Sequence, residues 1–486
     1  MTPPTNQTGS PGLHRVLGLR DIVLLNIAAI VGLRWLSTAA QLGPASLTLW
    51  LLGLAVFFIP LGMAVLELSS RIPGEGGLYL WAKAAFGDAH GFIAGWTYWV
   101  SNLVFFPSML LFGAGVSTYI AGDGGLSLRG SAGFNAAYCL TALWGATLLN
   151  IFGLKRAKWL QNTGAVATWL VTTLVLVAGA VAWHQFGPAT SLAPAELMPD
   201  FGSFATFTTL ATVALAYSGL ELGPIMGGEI REPRKVMPRA ILISAICITT
   251  IYMAGTASLL IALPKEQIDL IGGIPQALAA VGERLGIPAF GPITAALIVL
   301  VNLGGLGAFI AGTARLPFVV GVDRYLPASL ARLHPTHGTP WVALLVQGTI
   351  TSGILLAALS GATIHEAFVV LLDMTAILSL LPLLYIFAAL PVMRMRAAGR
   401  NDGITLVPGG AIGCWIAAVV GFSTTAFAIV TSTLPPDNGT DKALFLAKVV
   451  GGSLFLIGVG LVAFMRGRHE RGVVGRRVVA ATPTNP

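Results

Sequence analysis

The sequence predicts an all-α polytopic membrane protein with about twelve transmembrane helices. Of its 486 residues, 55% are hydrophobic and only 10% are charged, against about 25% charged in soluble domains. Apolar segments of about 20 residues, long enough to cross a bilayer as a helix, recur along the whole chain. The predicted helices cover about residues 19–41, 46–70, 90–120, 132–153, 160–183, 203–230, 237–263, 286–314, 340–360, 365–391, 408–432 and 445–466.

The positions of the basic residues predict how these helices are oriented. With twelve helices and a cytoplasmic N-terminus, 22 of the 28 Lys and Arg residues fall on the cytoplasmic side, 5 fall on the opposite side, and Arg34 falls inside the first helix. This is the positive-inside pattern of helical membrane proteins. We therefore expect a multi-pass protein of the cytoplasmic (inner) membrane with both termini in the cytoplasm. The net charge of +8 reflects this topology and does not predict a nucleic-acid partner.

The sixth predicted helix contains polar and helix-breaking residues near mid-membrane depth. In the segment AYSGLELGP, the residues Tyr217, Ser218, Gly219 and Glu221 follow an apolar run that begins at Ser203. A carboxylate at that depth costs about 2.5–3.5 kcal/mol on insertion scales, and backbone groups without hydrogen bonds are also costly unless they line a cavity. These four residues are therefore candidates for a binding site built on an interrupted helix.

The first predicted helix contains a comparable interruption. Its segment IVGLR, made of Ile30, Val31, Gly32, Leu33 and Arg34, places a glycine and a charge a few residues past the middle of the helix. Secondary transporters with inverted repeats build their substrate site from two discontinuous helices in equivalent positions of the two repeats. The two interruptions lie five helices apart, as this architecture requires. We therefore predict that both segments line one substrate site.

Four motifs resemble those of a known family. They are IVGLRW at 30–35, LELSSRIPGEGGLYLWAKAAFGDAHGFIAGW at 66–96, YSGLELGPIMGGEIREPRKVMPRA at 217–240 and TARLPFVVGVDRYLPASLARLHPTHGTP at 313–340. Their order and spacing over about residues 15–400 are similar to those of the amino acid–polyamine–organocation (APC) superfamily of permeases. The resemblance implies a LeuT-like inverted repeat of five plus five helices, with discontinuous helices 1 and 6 and two further C-terminal helices.

The resemblance also implies a division of the chain. A cytoplasmic tail, 1–18, would precede a first repeat of helices 1–5 over 19–184 and a second repeat of helices 6–10 over 203–391. Helices 11 and 12 would occupy 408–466, before a basic cytoplasmic tail over 467–486. Members of the family usually have an acidic residue at the Glu221 position, where it helps to couple substrate binding to gating.

Arg34 departs from the family, in which small residues normally occupy this position. One hypothesis is that Arg34 reaches into a central cavity and pairs with Glu221 or with a substrate carboxylate. A guanidinium without a partner is costly to desolvate, and its planar fork suits a carboxylate. The alternative is that the side chain extends to the membrane interface or makes a structural pair, and never contacts substrate.

Further polar candidates lie inside predicted helices. Asn102 of the third helix and Asn302 of the eighth are substrate-binding candidates, with helix-to-helix hydrogen bonding as the alternative. Asp373 of the tenth helix is a candidate for proton binding or cation contact, with packing against a cation or a backbone donor as the alternative. Glu67, near the cytoplasmic end of the second helix, is assigned to gating or to a structural pair with Arg71.

The sequence predicts a secondary active transporter rather than an enzyme. We expect it to move amino acids by alternating access, coupled to protons or to exchange, with Glu221 and Asp373 as proton-site candidates. The alternative is an exchanger of acidic amino acids or of related amines and polyamines. Sodium coupling is disfavoured, because residues 302–311 of the eighth helix contain no Ser or Thr and because Arg34 would repel the ion.

No cofactor, metal ion or catalytic constellation is expected. The histidines lack metal-ligand spacing, and Cys139, Cys247 and Cys414 fall inside predicted helices, where they act as small apolar residues. A membrane enzyme would need clustered His, Asp or Cys residues at the membrane face. The expected partners are a small-molecule substrate, membrane lipids and protons.

Overall fold

The structure is a computed structural model of the full chain. It describes residues 18–480 with the exception of 73–76, 123–124, 126, 222–231, 315, 318–324, 361–362, 398–403, 405 and 436–441. The described residues form helices and connecting segments, with no β-strand among them. An all-helical protein is what the apolar pattern of the sequence predicts.

Fifteen helices organise the part of the chain that the structure describes. In chain order they are α1 (Leu19–Ile30), α2 (Arg34–Ala40), α3 (Ala45–Arg71), α4 (Leu78–Phe86), α5 (Asp88–Ala121), α6 (Ala132–Ile151), α7 (Leu154–Phe186), α8 (Phe204–Ala216), α9 (Pro233–Ala262), α10 (Gly273–Arg284), α11 (Phe290–Thr313), α12 (Trp341–Leu359), α13 (Ile364–Arg396), α14 (Gly410–Thr431) and α15 (Lys442–His469). Short 3₁₀ turns lie in the connections, for example at Lys265–Gln267 and Ala328–Ala331.

Ten of these helices are long and apolar enough to cross a membrane: α3, α5, α6, α7, α9, α11, α12, α13, α14 and α15. Each one coincides with one of the twelve helices predicted from the sequence. The other two predicted helices, 19–41 and 203–230, are those in which the sequence indicates an interruption. In their place the structure has the short helices α1 and α2, separated by Val31–Leu33, and the short helix α8, which ends at Ala216.

Helices α5 and α13 form the centre of the bundle. The most apolar window of α5 is 83% buried inside the protein and that of α13 is 67% buried, against 22% for α15. Apolar side chains on the outer helices remain exposed, such as Trp183 on α7 and Phe455 on α15. Exposed apolar faces on helices of this length are typical of membrane-spanning helices.

Helices α7 and α11 approach each other at backbone distance. A Cβ atom built on Gly304 would lie 2.6 Å from the Cα atom of Gly164, and one built on Gly164 would lie 2.7 Å from the Cα atom of Gly304. Any larger residue at either position would push the helices apart, and small residues commonly mark such crossings in membranes. This contact brings α7 and α11 together beside the interrupted helices.

Candidate functional site

A cavity of about 570 Å³ lies at the two helix interruptions, between α1, α2, α5, α7, α11 and the end of α8. This volume is within the range of small-molecule binding pockets, about 300–1,000 Å³. Ten residues predicted from the sequence line it: Ile30, Val31, Gly32, Leu33, Arg34, Asn102, Ser218, Gly219, Glu221 and Asn302. The structure therefore brings together residues from four distant segments of the chain.

The cavity reaches the protein surface at the end of the bundle where α1 and α7 begin. Its lining extends to Asp21 on α1 and to Gln161 and Asn162 on α7, and the side chains of Asp21 and Asn162 are exposed. Polar groups therefore continue from the deep part of the cavity to this surface.

The opposite end of the bundle is held together by polar contacts. Gln41, just after α2, donates from Nε2 to the carbonyl oxygen of Ile268 at 3.0 Å. Asp269 accepts hydrogen bonds from Arg129 Nη2 at 2.6 Å and from the backbone N–H of Gly272 at 2.5 Å. Partial burial alone would raise the pKa of Asp269, but these donors outweigh it and hold the pKa below its usual value. The loop that precedes α10 is thereby fastened to α2 and to the segment after α5.

The interruption between α1 and α2 is short. Val31 has an extended backbone (φ −68°, ψ 104°), and its N–H still donates to Ile27. The chain then re-enters a helix at Leu33, where the N–H of Trp35 donates to the carbonyl oxygen of Gly32 at 3.0 Å. The backbone groups of Ile30 and Gly32 that lose helical partners are bonded instead by the hydroxyl group of Tyr252 on α9.

The end of α8 turns on a glycine. The hydroxyl group of Ser218 donates to the carbonyl oxygen of Leu215 at 2.6 Å, as a local cap of the last turn. Gly219 has a φ angle of +120°, a conformation that residues with a side chain rarely adopt. This turn directs the N–H of Gly219 to Glu221 Oε2 at 2.9 Å.

Glu221 is nearly fully buried, with 2% of its surface exposed. Besides the bond from Gly219, its Oε1 atom accepts a hydrogen bond from the Tyr98 hydroxyl group of α5 at 3.3 Å. No cation forms an ion pair with it among the residues that the structure describes. Glu221 is therefore a buried acidic group held by neutral donors at the wall of the cavity.

Arg34 is also buried, and no acidic residue among those described forms an ion pair with it. Its Cζ atom lies 4.5 Å from the ring centroid of Trp35 and 4.5 Å from that of Phe105, so the guanidinium group is held against two aromatic faces. Its buried Nε atom finds no hydrogen-bond partner within the described ranges. The hypothesis of an Arg34–Glu221 pair is not realised in this structure: both residues line the cavity, but no ion pair joins them. Glu221 is instead bonded by Tyr98 and Gly219, and Arg34 packs against Trp35 and Phe105.

The two asparagines line the cavity and also make helix contacts. Asn102 Nδ2 donates to the carbonyl oxygen of Tyr98 on its own helix at 2.7 Å. Asn302 Nδ2 donates across helices to the carbonyl oxygen of Met109 at 3.0 Å. In the described part of the chain, Oδ1 of Asn302 is buried and has no hydrogen-bond partner. Each amide N–H₂ group therefore uses one of its two hydrogens in a bond to a helix backbone.

Tyr217 does not line the cavity, which corrects its assignment from the sequence. It is fully buried behind the interruption, and its hydroxyl group lies 3.1 Å from the carbonyl oxygen of Trp50 and 2.9 Å from Thr249 Oγ1. Its ring packs against Phe58 with a centroid distance of 5.2 Å. Because α8 is still helical up to Ala216, Tyr217 continues on the face that packs against α3 and α9.

Glu67 and Asp373 also lie away from the cavity lining. Glu67 is fully buried, and Arg71 donates to its Oε1 atom at 2.9 and 2.8 Å, with Arg394 Nε at 3.3 Å. Its Oε2 atom accepts from the N–H of Val407 at 2.9 Å, so Glu67 joins α3, α13 and the segment before α14. Asp373 is half-buried on α13.

Two tyrosines at the site were not identified from the sequence. Tyr98 lies one turn before Asn102 on α5, and the i, i+4 spacing on one helix face could have indicated it. Tyr252 lies in the apolar run ICITTIYMAGTA, where an isolated tyrosine carries no such signal. Its role depends on contacts with residues more than 200 positions earlier in the chain.

The break between α1 and α2, the end of α8 and the cavity beside them lie inside a bundle of helices of membrane-spanning length, which is typical of secondary transporters. The model of the family described as "Amino acid permease" matches residues 17–457. The chain therefore belongs to the amino acid permease family of APC transporters, and it is a multi-pass membrane transporter rather than an enzyme.

Relatives of known sequence agree with this assignment. The chain is 30% identical to an uncharacterized transporter of Legionella pneumophila, over 93% of this chain and 95% of the relative. It is 24% identical to a glutamate/gamma-aminobutyrate antiporter of Lactococcus lactis, over 79% of this chain and 77% of the relative. It is 25% identical to the serine/threonine exchanger SteT of Bacillus subtilis, over 70% of this chain and 76% of the relative.

Proposed function

We propose that this protein is a secondary active transporter that moves amino acids across the cytoplasmic membrane by alternating access. One observation carries the proposal. The cavity at the two helix interruptions holds a buried guanidinium group, Arg34, and a buried acidic group, Glu221, which do not pair with each other. A zwitterionic amino acid carries one group of each sign and would complement both.

In the proposed complex, the substrate carboxylate binds Arg34. The guanidinium group is held against Trp35 and Phe105 at the wall of the cavity. In a cavity of low dielectric constant a charge-assisted hydrogen bond is stronger than in water. The amino group faces Glu221 and the backbone carbonyl groups near Ser218 and Gly219. Both ends of the substrate thereby contact an interrupted helix, so binding is linked to the conformation of the interruptions.

The proposed fold has twelve membrane-crossing segments arranged as a LeuT-like inverted repeat. Ten long helices and two short interrupted ones at positions one and six support this arrangement. If the termini are cytoplasmic, as the basic residues predict, the cavity opens to the cytoplasm beside Asp21 and Asn162. The contacts of Gln41 and Asp269 then close the outer end, and alternating access would exchange the open end for the closed one.

Proton coupling or substrate exchange is the proposed source of energy. A buried carboxyl group that accepts bonds from Tyr98 and Gly219 without a cation is suited to bind a proton, because its charged form is poorly solvated. Asp373 remains a second candidate for the proton site. Sodium coupling is disfavoured by the absence of Ser and Thr over residues 302–311 of α11 and by the positive charge of Arg34.

A more specific candidate function is the exchange of acidic amino acids. Arg34 supplies a full positive charge in the cavity that would favour a second carboxylate, and one relative is a glutamate/gamma-aminobutyrate antiporter. Under this alternative, glutamate and aspartate should compete for transport better than neutral amino acids do.

Uptake into proteoliposomes tests the proposal. Purified protein is reconstituted and assayed with a panel of labelled neutral, acidic and basic amino acids, with and without a pH gradient, a sodium gradient or unlabelled amino acid inside the vesicles. We expect saturable transport that responds to the pH gradient or to internal substrate and does not depend on sodium. Absence of uptake and of exchange across the whole panel would reject the proposed function.

A further inference from the structure

A single side-chain hydroxyl group, that of Tyr252 on α9, contacts both helix interruptions. Its oxygen lies 2.6 Å from the carbonyl oxygen of Ile30, at the end of α1, and 3.1 Å from the carbonyl oxygen of Ala216, at the end of α8. The N–H of Gly32 donates to the same hydroxyl oxygen at 3.3 Å. Ile30, Gly32 and Ala216 all line the cavity, and Tyr252 approaches them from behind.

The hydrogen-bonding capacity of a tyrosine fits this position. A phenol has one O–H donor and can also accept, so Tyr252 accepts from Gly32 while its single proton is shared between the carbonyl oxygens of Ile30 and Ala216. These are backbone groups that lose their helical partners where α1 and α8 end. In a membrane protein such groups need an internal partner, because unpaired backbone groups are costly away from water.

The ring of Tyr252 is fixed by its neighbours. It stacks on Trp50 of α3 with a centroid distance of 4.3 Å and an interplanar angle of 15°, and it meets Tyr217 edge-on at 5.7 Å. Trp50 is itself held by a hydrogen bond from Nε1 to Thr256 Oγ1, one turn further along α9. Tyr252 is fully buried, so the hydroxyl group has little freedom to leave the two interruptions.

We infer that Tyr252 is a positioning residue that sets the relative placement of the two interruptions and thereby the geometry of the substrate site. The inference rests on the proposed function, since it concerns the same cavity. Moving α1 relative to α8 requires the hydroxyl group to give up one carbonyl oxygen or the N–H of Gly32. Tyr252 therefore couples the two interrupted helices without itself lining the cavity.

This arrangement also limits which groups can bind substrate. The carbonyl oxygens of Ile30 and Ala216 and the N–H of Gly32 already have a partner in Tyr252. Recognition of the charges of the substrate is then left to the two ionisable side chains of the cavity, Arg34 and Glu221. Tyr252 thus sets the backbone geometry of the site, and these two side chains recognise the charges of the substrate.

The substitution Tyr252→Phe tests the role of the hydroxyl group, because it keeps the ring between Trp50 and Tyr217. In proteoliposomes we expect KM to rise by about tenfold or more, as expected for the loss of one or two buried hydrogen bonds, with a smaller change in kcat. The matched control is Thr425→Val, which removes a buried hydroxyl group from α14 and its bond to the carbonyl oxygen of Gly421, away from the cavity lining and from both interruptions. This control should keep the wild-type KM.

A second measurement keeps the inference testable if Tyr252→Phe does not fold. Incorporation of 3-fluorotyrosine at position 252 preserves the ring and the hydroxyl group. Its ¹⁹F resonance should shift when a transported amino acid is added, whereas the same label at Tyr385, which contacts His90 away from the cavity lining, should not respond. An unchanged KM in a well-folded Tyr252→Phe variant, or a resonance at position 252 that ignores substrate, would overturn the inference. Failure of the wild-type protein to transport any amino acid would instead reject the proposed function.

Discussion

At the scale of single residues, Arg34 and Glu221 define the chemistry of the cavity. Each is an ionisable group that loses hydration on burial, and neither obtains an opposite charge from the described residues. Glu221 is compensated by Tyr98 and Gly219, and Arg34 is compensated by two aromatic faces. Aromatic faces compensate a guanidinium group only in part, so Arg34 has the larger unmet capacity to bind an anion.

The substitution Arg34→Ala should abolish amino acid transport while leaving the protein folded and monodisperse. The reason is that Arg34 makes no ion pair that the fold would lose, but it supplies the positive charge proposed to bind the substrate carboxylate. Arg34→Lys should restore little activity, because an ammonium group lacks the planar fork that stacks on Trp35 and Phe105. Transport rates in proteoliposomes and size-exclusion profiles measure the two effects.

Arg332→Ala is the control for this experiment, because Arg332 is exposed in a connection far from the cavity lining. It removes a positive charge from the same protein and should leave transport unchanged. Normal transport by Arg34→Ala would contradict the proposed role of Arg34 and favour a purely structural one.

At the scale of elements, the end of α8 depends on the backbone of one glycine. The φ angle of +120° at Gly219 lets the chain turn out of the helix and point its N–H toward Glu221. A residue with a Cβ atom is strained in this conformation. The interruption of α8 therefore has a local cause in the sequence and does not result only from packing by its neighbours.

The substitution Gly219→Ala should weaken substrate binding and lower thermal stability. A side chain in this region of backbone conformation costs about 1–3 kcal/mol, and relief of the strain would turn the N–H away from Glu221. Gly312→Ala is a matched control, since Gly312 lies within helix α11 and a Cβ atom there meets nothing within 4 Å. Melting temperatures and transport KM are the readouts. Equal behaviour of the two variants would show that the turn at Gly219 does not constrain the site.

At the scale of the whole molecule, the cavity is open at one end of the bundle and closed at the other. The closed end depends on contacts between segments far apart in the chain: Arg129 with Asp269, and Gln41 with Ile268. Because the neighbouring donors lower the pKa of Asp269, its charged form is stabilised in the folded protein. Any motion that opens this end has to break these contacts.

The substitution Asp269→Asn should destabilise the protein near neutral pH by about 1–2 kcal/mol, because charged hydrogen bonds at the closed end are replaced by neutral ones. A lowered pKa in the folded state means that the stabilisation is present above the ordinary pKa of Asp, about 3.9. It is lost as the pH falls through the lowered value. The difference in melting temperature between wild type and variant should therefore be constant from neutral pH to about pH 4 and shrink below it.

Asp200→Asn serves as the control, since Asp200 is exposed and makes a local hydrogen bond to the N–H of Gly202. It should change stability much less at any pH. A difference between wild type and Asp269→Asn that stayed constant below pH 4 would show that the charge of Asp269 does not stabilise the closed end.

The sequence by itself determined the class of the protein and much of its helical organisation. Hydropathy acts locally, so about 20 apolar residues in a row specify a membrane-spanning helix wherever they pack. Ten helices follow from this rule, and both interruptions follow from residues that a lipid-facing helix excludes, such as Arg34 and Glu221. Most of the cavity residues at these interruptions could therefore be identified by position, but Tyr217 could not be separated from them in this way.

Only the tertiary structure decided which polar groups meet. Whether Arg34 pairs with Glu221 depends on how α2, α5 and the end of α8 pack together, and here Tyr98 and the N–H of Gly219 bond Glu221 instead. Tyr217 turns away from the cavity because of the rotation of its helix and its contact with Trp50. Packing against Trp50 likewise places the hydroxyl group of Tyr252 between the two interruptions. Most of these contacts join residues more than 100 positions apart, and no periodicity within one segment encodes them.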